Sequence, residues 1–396
     1  MEIKHGASIL TVNVGSSSIK IALFSVHNAD KKIFEAAVQN IGQPSATFTT
    51  PDSTTHMVVS GHIAAAKLLV SWIADQMTLS TVRAVGHRIV HGGPHYYQTC
   101  LATEETLAGL RELTAFDPEH LPHELELVKL FRHLLPQAQH ILCFDTAFHH
   151  NLPTQSRLLP LPRRFEALGV RRYGFHGLSY AYIMQELRHT EGDATAGGKV
   201  VIAHLGSGAS LTALHGARPV DTTMGMTPAS GIPMSSRSGD LDPGLALYFA
   251  NTQGYSAQRF NQMVNFESGL LGMSGTTADM EKLLQSENKD IRAKDAVAMF
   301  CYQVKKSLGS FAAALGGLDT LVFTGGMGEN APKIRAKVCE GLEFLGVTLD
   351  AARNQKNARC VSADGGTVGV YVIPTDEAVT IARETSHLIN KVTSKE

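Results

Sequence analysis

Five charged residues stand where an anion would be handled: Arg88, Asp145, His176, Arg237 and Glu377. Arg88 closes an apolar run in Val85-Gly86-His87-Arg88-Ile89-Val90-His91-Gly92-Gly93. A guanidinium there falls at a strand edge or loop, where α/β sheets bind ligands, with a structural salt bridge as the competing role. Arg237 lies in the stretch from Gly225 to Gly244, rich in Gly, Ser and Pro. That composition is a loop shaped for a ligand, in which Asp240 and Asp242 either orient the arginine or cap the next helix. Asp145 ends the run Ile141-Leu142-Cys143-Phe144, a place for a catalytic carboxylate or a helix cap. His176, in Arg171-Arg172-Tyr173-Gly174-Phe175-His176-Gly177, has neighbours that favour an anion site, against a satisfied structural histidine. Glu377 follows Pro374-Thr375-Asp376 and opens a helix, as a cap or as a magnesium contact. Arginine offers planar paired donors to carboxylate and phosphate oxygens alike, so this set reads as chemistry between anions.

Two glycine turns accompany these residues. Thr11-Val12-Asn13-Val14-Gly15-Ser16-Ser17-Ser18 precedes Ile19 to Phe24, and Val201-Ile202-Ala203-His204-Leu205-Gly206-Ser207-Gly208 precedes Ala209 to Leu214. Overlaid, Gly15 matches Gly206, Ser16 matches Ser207 and Leu23 matches Leu214. Each reads as strand, tight turn, strand. Glycine lets the backbone approach a bound group, and turn N–H groups with serine hydroxyls point at phosphate oxygens. One such turn is a plain hairpin; two matching turns in separate halves suggest a duplicated nucleotide-binding unit. Neither turn carries the G-x-x-x-x-G-K-[ST] pattern. A third glycine segment, Thr324-Gly325-Gly326-Met327-Gly328-Glu329-Asn330, follows a strand and enters a helix whose N-terminus adds positive potential.

The elements that must position these groups alternate. Strand-like runs occur at Ile9 to Val12, Ile19 to Phe24, Val82 to Val85, Ile141 to Phe144, Val200 to Ala203, Leu321 to Thr324 and Tyr371 to Ile373. Helical patterns lie between them; Val297, Phe300, Cys301, Val304, Leu308, Phe311 and Leu315 form one packing stripe. Alternation means an α/β protein. Ser45 to His56 reads as a surface loop or hairpin tip, Thr190 to Gly198 as the connection into the second half, and Ser386 to Glu396 as a fraying helix end.

With 396 residues, two domains are expected. A formal charge of −1 gives no global attraction to nucleic acid or to an acidic membrane, so any anion site is built locally. The five scattered cysteines, with no C-x-x-C, fit a reducing cytoplasm better than a disulfide framework or zinc knuckle. Met1 to Gly6 carries no apolar h-region, and no run reaches the length of a membrane span, so a cytoplasmic location is expected.

Together, Asn13 to Lys20, Gly86 to Gly93, Phe144 to His149, Arg172 to Gly177, the second glycine turn, the Arg237 loop, Gly325 to Asn330 and Pro374 to Glu377 resemble the acetate/propionate kinase family. They occur in family order from Asn13 to Arg383. The resemblance implies duplicated α/β domains of the actin, sugar-kinase and heat-shock-chaperone (ribonuclease H-like) type, with ATP in the cleft between them. It implies a first domain over 1–150, completed by the C-terminal helix at about 383–396, and a nucleotide-binding domain over 151–382. It implies a homodimer that transfers phosphoryl reversibly between ATP and a short-chain carboxylate: acetate, with propionate or butyrate as alternatives. Asn13 and Glu377 then resemble the Mg2+ positions, with Mn2+ as a substitute. Lys20, His204, Leu205, Gly206, Ser207, Gly208, Asp279, Gly326, Met327, Gly328, Glu329 and Asn330 resemble nucleotide contacts. Arg88 resembles the substrate-side arginine, Asp145 the catalytic acid, and His176 and Arg237 transition-state stabilisers; Val90, Phe175 and Pro228 resemble walls of the acyl pocket.

The chain departs from the family pattern at Ser207, where Asn is usual, at Pro233 beside the arginine loop, at Glu281, where Arg is common, and at Glu119. A carboxylate substrate, with a reference pKa near ~4, is already ionised and needs no general base. A sugar or polyol kinase would use Asp145 as a base and would not need both Arg88 and Arg237. An ATP-dependent binding protein of the same superfamily would carry a further peptide-binding domain.

Overall fold

The computed structural model describes residues 6–15 and 17–393. Ser16 and the end of the tail, 394–396, lie outside the described residues, as does 1–5. The chain divides into two compact units, residues 1–148 with 177–182 and 376–396, and residues 149–176 with 183–375.

The first unit is built on β1 (Ser8–Gly15), β2 (Ser18–Ser25), β3 (Asn28–Gln39), β4 (Ala46–Thr49), β5 (Thr54–Met57), β6 (Val82–Ile89), β7 (Cys100–Leu101) and β8 (Gln139–Phe144). They form one sheet in the order β5-β4-β3-β2-β1-β6-β8-β7. β1 to β3 are an antiparallel meander, whereas β6 and β8 run parallel to β1. One face packs helices His62–Gln76 and Leu121–Leu134 around Leu10, Val12, Leu69, Ile73, Val85 and Phe131. The other face takes the last helix, Glu377–Thr393, through Ile381 and Ala382. Gly86 in β6 is what admits that helix, since a side chain there would overlap Thr385 and Ile381.

The second unit repeats the plan. β9 (Lys199–Leu205), β10 (Ala209–His215), β11 (Arg218–Thr222), β12 (Thr320–Thr324) and β13 (Gly369–Val372) take the order β11-β10-β9-β12-β13. β9 to β11 are antiparallel, and β12 and β13 run parallel. The inner five strands of the first sheet, β3-β2-β1-β6-β8, have the same order and directions. The duplication read from the two turns is therefore a duplication of sheets, with β1–β2 and β9–β10 as corresponding hairpins. Helix Ile291–Leu315 lies on the second sheet, and its stripe from Val297 to Leu315 is buried as its spacing requires.

One local expectation changes and one is narrowed. Thr190 to Gly198 is not a connection: helix Gly177–Gly197 continues to its penultimate residue, with a break in helical geometry at Gly192, φ 87°. Alanine in that segment sustains helix, and glycine absorbs the left-handed residue. Ser45 to His56 bears out the hairpin alternative: its threonines suit the edge strands β4 and β5, and Thr50 to Ser53 form the tip.

Candidate active site

In the first unit the functional side chains come from the C-terminal ends of the parallel strands. Asn13 is near the end of β1, Arg88 near the end of β6, and Asp145 follows β8. Residues 88 and 145 are far apart in sequence, but β6 and β8 pair with Ile89 opposite Phe144, which brings them together. Arg88 Nη2 donates to Asp145 Oδ2 at 2.7 Å, and Nη1 donates to the Val14 carbonyl at 3.0 Å. Asp145 is fully buried, so this carboxylate is engaged with a guanidinium rather than exposed as a base. Burial disfavours the Arg88 charge, yet Asp145, Glu377 and Glu124 outweigh it and hold the guanidinium protonated above its ordinary range.

Glu377 begins the last helix and accepts from Asn13 Nδ2 at 2.6 Å. Burial raises its pKa, Asp145 adds to the rise, and Arg88, Asn13 and Lys20 oppose it. A half-buried carboxylate beside an amide oxygen is a hard-oxygen set of the kind that shares Mg2+ with phosphates. The described residues hold no cluster of three His, Cys, Asp or Glu able to cage a metal alone. Lys20 is exposed opposite Asn13 in the β1–β2 hairpin. Val90, 3% exposed, lies two residues beyond Arg88.

The second unit gathers a different set. His176 has left-handed geometry, φ 59°, at the start of helix Gly177–Gly197. Its Nδ1 shares a hydrogen bond with Ser210 Oγ at 2.8 Å, and its ring stacks on His204 with centroids 4.2 Å apart. Gly208 is the close neighbour of both catalytic candidates: a Cβ there would stand 3.1 Å from His176 Nε2 and 3.5 Å from Arg237 Nη1. Gly206 N donates to the Gly208 carbonyl at 3.0 Å, closing the turn, and Leu205 is fully buried beneath it. Ser207 is exposed, and its carbonyl accepts from Ser235 N at 3.1 Å, tying the arginine loop to the turn. Arg237 Nη1 donates to the carbonyl of buried Pro228 at 3.1 Å. Asp240 instead accepts from Gly231 N, and Asp242 from Gly244 N at the start of helix Gly244–Gln253. Phe175 is 1% exposed.

The segment Gly325–Asn330 follows β12, and Thr324 pairs with His204, so Gly326, Met327, Gly328, Glu329 and Asn330 lie at the same sheet end as the glycine turn. The helix has only six residues, and its first N–H, on Gly325, is taken by Glu329 Oε1 at 2.8 Å. Glu329 also accepts from Thr375 N at 3.1 Å, so its carboxylate braces the segment. Asp279 caps helix Met280–Ser286 by accepting from Glu281 N, and Glu281 is exposed.

Four supporting residues escaped sequence reasoning. Ser210 orients His176. Arg172 Nη1 donates to the carbonyls of Thr222, Thr223 and Met224 and so shapes the loop before Pro228. Fully buried Arg335 donates to the carbonyls of Gly328 and Glu329. Glu124, 2% exposed, accepts from Val90 N at 2.9 Å. Its signal was present: it shares the buried stripe of Leu121, Leu125 and Val128, where a carboxylate is out of place.

The profile of the acetokinase family matches residues 8–383. Acetate kinase of Rhodopseudomonas palustris (strain TIE-1) is 43% identical over 386 residues, covering 95% of this chain and 96% of that protein. Propionate kinase of Citrobacter rodentium is 38% identical over 385 residues, covering 95% of each. The crystal structure of Porphyromonas gingivalis acetate kinase superposes with a TM-score of 0.86 at 33% identity, over 97% of this chain and all of that one. The chain belongs to the acetokinase family, phosphotransferases with a carboxyl group as acceptor, and has the actin/sugar-kinase fold of that family.

Proposed function

We propose that this chain is an acetate kinase, with propionate as its second substrate. A carboxylate oxygen of acetate attacks the γ-phosphorus of ATP, the bond from that phosphorus to the β–γ bridging oxygen breaks, and acetyl phosphate and ADP leave. The observation that carries the reading is the Arg88–Asp145 pair at 2.7 Å. An ionised carboxylate gives up no proton on attacking phosphorus, so the chemistry needs a positioned cation and no base. Asp145, with one oxygen on Arg88, supplies the positioning; Arg88 receives the acetate carboxylate beside Val90. In the second unit His176 and Arg237 bear on the phosphoryl oxygens from either side of Gly208, where preorganised donors stabilise charge as it spreads. Lys20, His204 to Gly208, Asp279 and Gly326 to Asn330 serve the nucleotide, and Glu329 also braces its segment through Gly325 N.

Asn13 and Glu377 would hold Mg2+, or Mn2+ in its place, and the ion supplies neutralisation of the phosphate charge. The chain's own part is that Asn13, Arg88 and Lys20 favour the ionised form of Glu377 against the effect of burial. A homodimer is supported by large apolar side chains left exposed in the second unit, Leu247, Tyr248 and Tyr302 among them. A cytoplasmic location is supported by five free cysteines, and no described helix is long and apolar enough to cross a membrane. The domains proposed are 1–150 with 383–396, and 151–382. Steady-state rates with ATP and Mg2+ over acetate, propionate and butyrate test the assignment; acetate should give the highest kcat/KM.

A further inference from the structure

Glu124 is a buried carboxylate near Arg88 that the mechanism leaves unused. It enters from helix Leu121–Leu134 and reaches the backbone just beyond Arg88, with Oε2 2.9 Å from Val90 N. Its second oxygen, Oε1, is buried and has no hydrogen-bond partner. A carboxylate with one oxygen unsatisfied in the interior is poorly placed as an anion and better placed as an acid. The groups acting on it are Arg88 from β6, Asp145 after β8, and Asp117 from the loop before its own helix. Asp117, itself 2% exposed, shares Oδ1 with His120 at 2.9 Å. His91, two residues past the end of β6, stacks edge-on against Phe116.

We infer that Glu124 is a positioning residue whose proton tunes the Arg88 site for its anion. This rests on the reading of Arg88 as the acetate-binding arginine. Protonated, Glu124 holds the Val90 backbone and leaves the Arg88 charge to Asp145, Glu377 and the substrate. Ionised, it adds a third carboxylate around one guanidinium and opposes a fourth, that of acetate. Burial supports the switch by pushing the Glu124 carboxyl up to about 8, against the pull of Arg88 and the Val90 N–H. The acid form therefore predominates at neutral pH and is lost above it.

The test is KM for acetate between pH 6.5 and 9.5 at saturating ATP and Mg2+, for the wild type, Glu124→Gln and Glu124→Asp. Acetate is ionised throughout, so it adds no titration of its own. The wild-type KM should rise about 3- to 10-fold toward alkaline pH, the scale of one added like charge at a partly screened site. Glutamine keeps the acceptor for Val90 N–H but does not ionise, so its KM should stay flat. Aspartate keeps an ionisable group at a changed distance, so the rise should persist with a moved midpoint. An alkaline rise in Glu124→Gln equal to the wild type overturns the inference; so does a midpoint unchanged in Glu124→Asp, or a folded Glu124→Gln inactive at every pH. A wild type with no turnover on acetate or propionate would instead overturn the proposed function.

Discussion

Replacing Asp145 by asparagine separates positioning from proton transfer. The substitution keeps the shape of a side chain that is fully buried, and an oxygen for Arg88 Nη2, but removes the charge. The ion pair it breaks is buried on the Asp145 side and 14% exposed on the Arg88 side. A charge-assisted hydrogen bond contributes roughly 1.5–3 kcal/mol and a neutral one roughly 0.5–1.5. What then holds Arg88 is Nη1 on the Val14 carbonyl and a weaker, neutral bond at Nη2, so the guanidinium is less firmly fixed. Loss of a fixed donor in such a site costs about 10²- to 10³-fold in kcat. The ground state suffers less, because Arg88 keeps its charge and loses a competitor for it, so KM for acetate should stay within about threefold. Asp145 also acts electrostatically on Glu377, so the Mg2+ dependence of the rate should change. Initial rates of acetyl phosphate formation over pH 5.5–8 and a Mg2+ series read all three quantities, with a thermal melt as the folding control. If the variant merely loses an acid limb of the pH–rate profile and keeps the wild-type magnesium dependence, Asp145 is a base and the positioning argument is wrong.

Arg237→Ala should lower kcat by at least ~100-fold, and lysine at Arg88 or Arg237 should restore only part, since a point charge does not reproduce the planar fork; wild-type turnover in folded Arg237→Ala refutes the clamp. Glu281→Arg should tighten ATP binding by roughly 1 kcal/mol, a surface-scale effect at an exposed residue, read by titration calorimetry; an unchanged Kd places the residue away from the nucleotide. In the first unit, His140 Nε2 donates to the Leu135 carbonyl at 3.1 Å, so Nδ1 accepts from His87 Nε2 at 3.0 Å and both rings are neutral. Burial takes His140 down to about 4 and His87 well below its usual value. The unfolded chain takes up these protons first, so stability is complete above pH ~6.5 and falls as pH drops toward 4, by roughly 3 kcal/mol for His140 alone. Urea unfolding at pH 7.5, 6 and 5 should show that loss, and His140→Gln should flatten it; parallel curves would contradict the neutral pair.

The parts of this molecule legible in its sequence are those that local rules decide. The two glycine turns became the β1–β2 and β9–β10 hairpins because strand, turn and strand are adjacent in the chain. The stripe from Val297 to Leu315 became a buried helix face because its period admits little else. Partnerships across the sheet were not legible. The Arg88 segment left salt bridge and ligand site open, and the structure shows the salt bridge, to Asp145; the ligand role is the one proposed above. Only the parallel pairing of β6 with β8 makes that contact, and strand order is a property of the whole chain. Nor was the brace at Glu329 legible: its carboxylate accepts from Gly325 N beside it and from Thr375 N, far along the chain.

The central claim is that phosphoryl passes to a carboxylate, and trapping the product tests it most directly. Incubation with ATP and Mg2+ in the presence of hydroxylamine converts an acyl phosphate to the hydroxamate, which is read by its iron complex. Acetate should give hydroxamate in step with ADP, propionate should give less, and glycerol or hexoses should release no ADP above background. ADP formation on a polyol or sugar, with no hydroxamate from acetate, propionate or butyrate, would contradict the account.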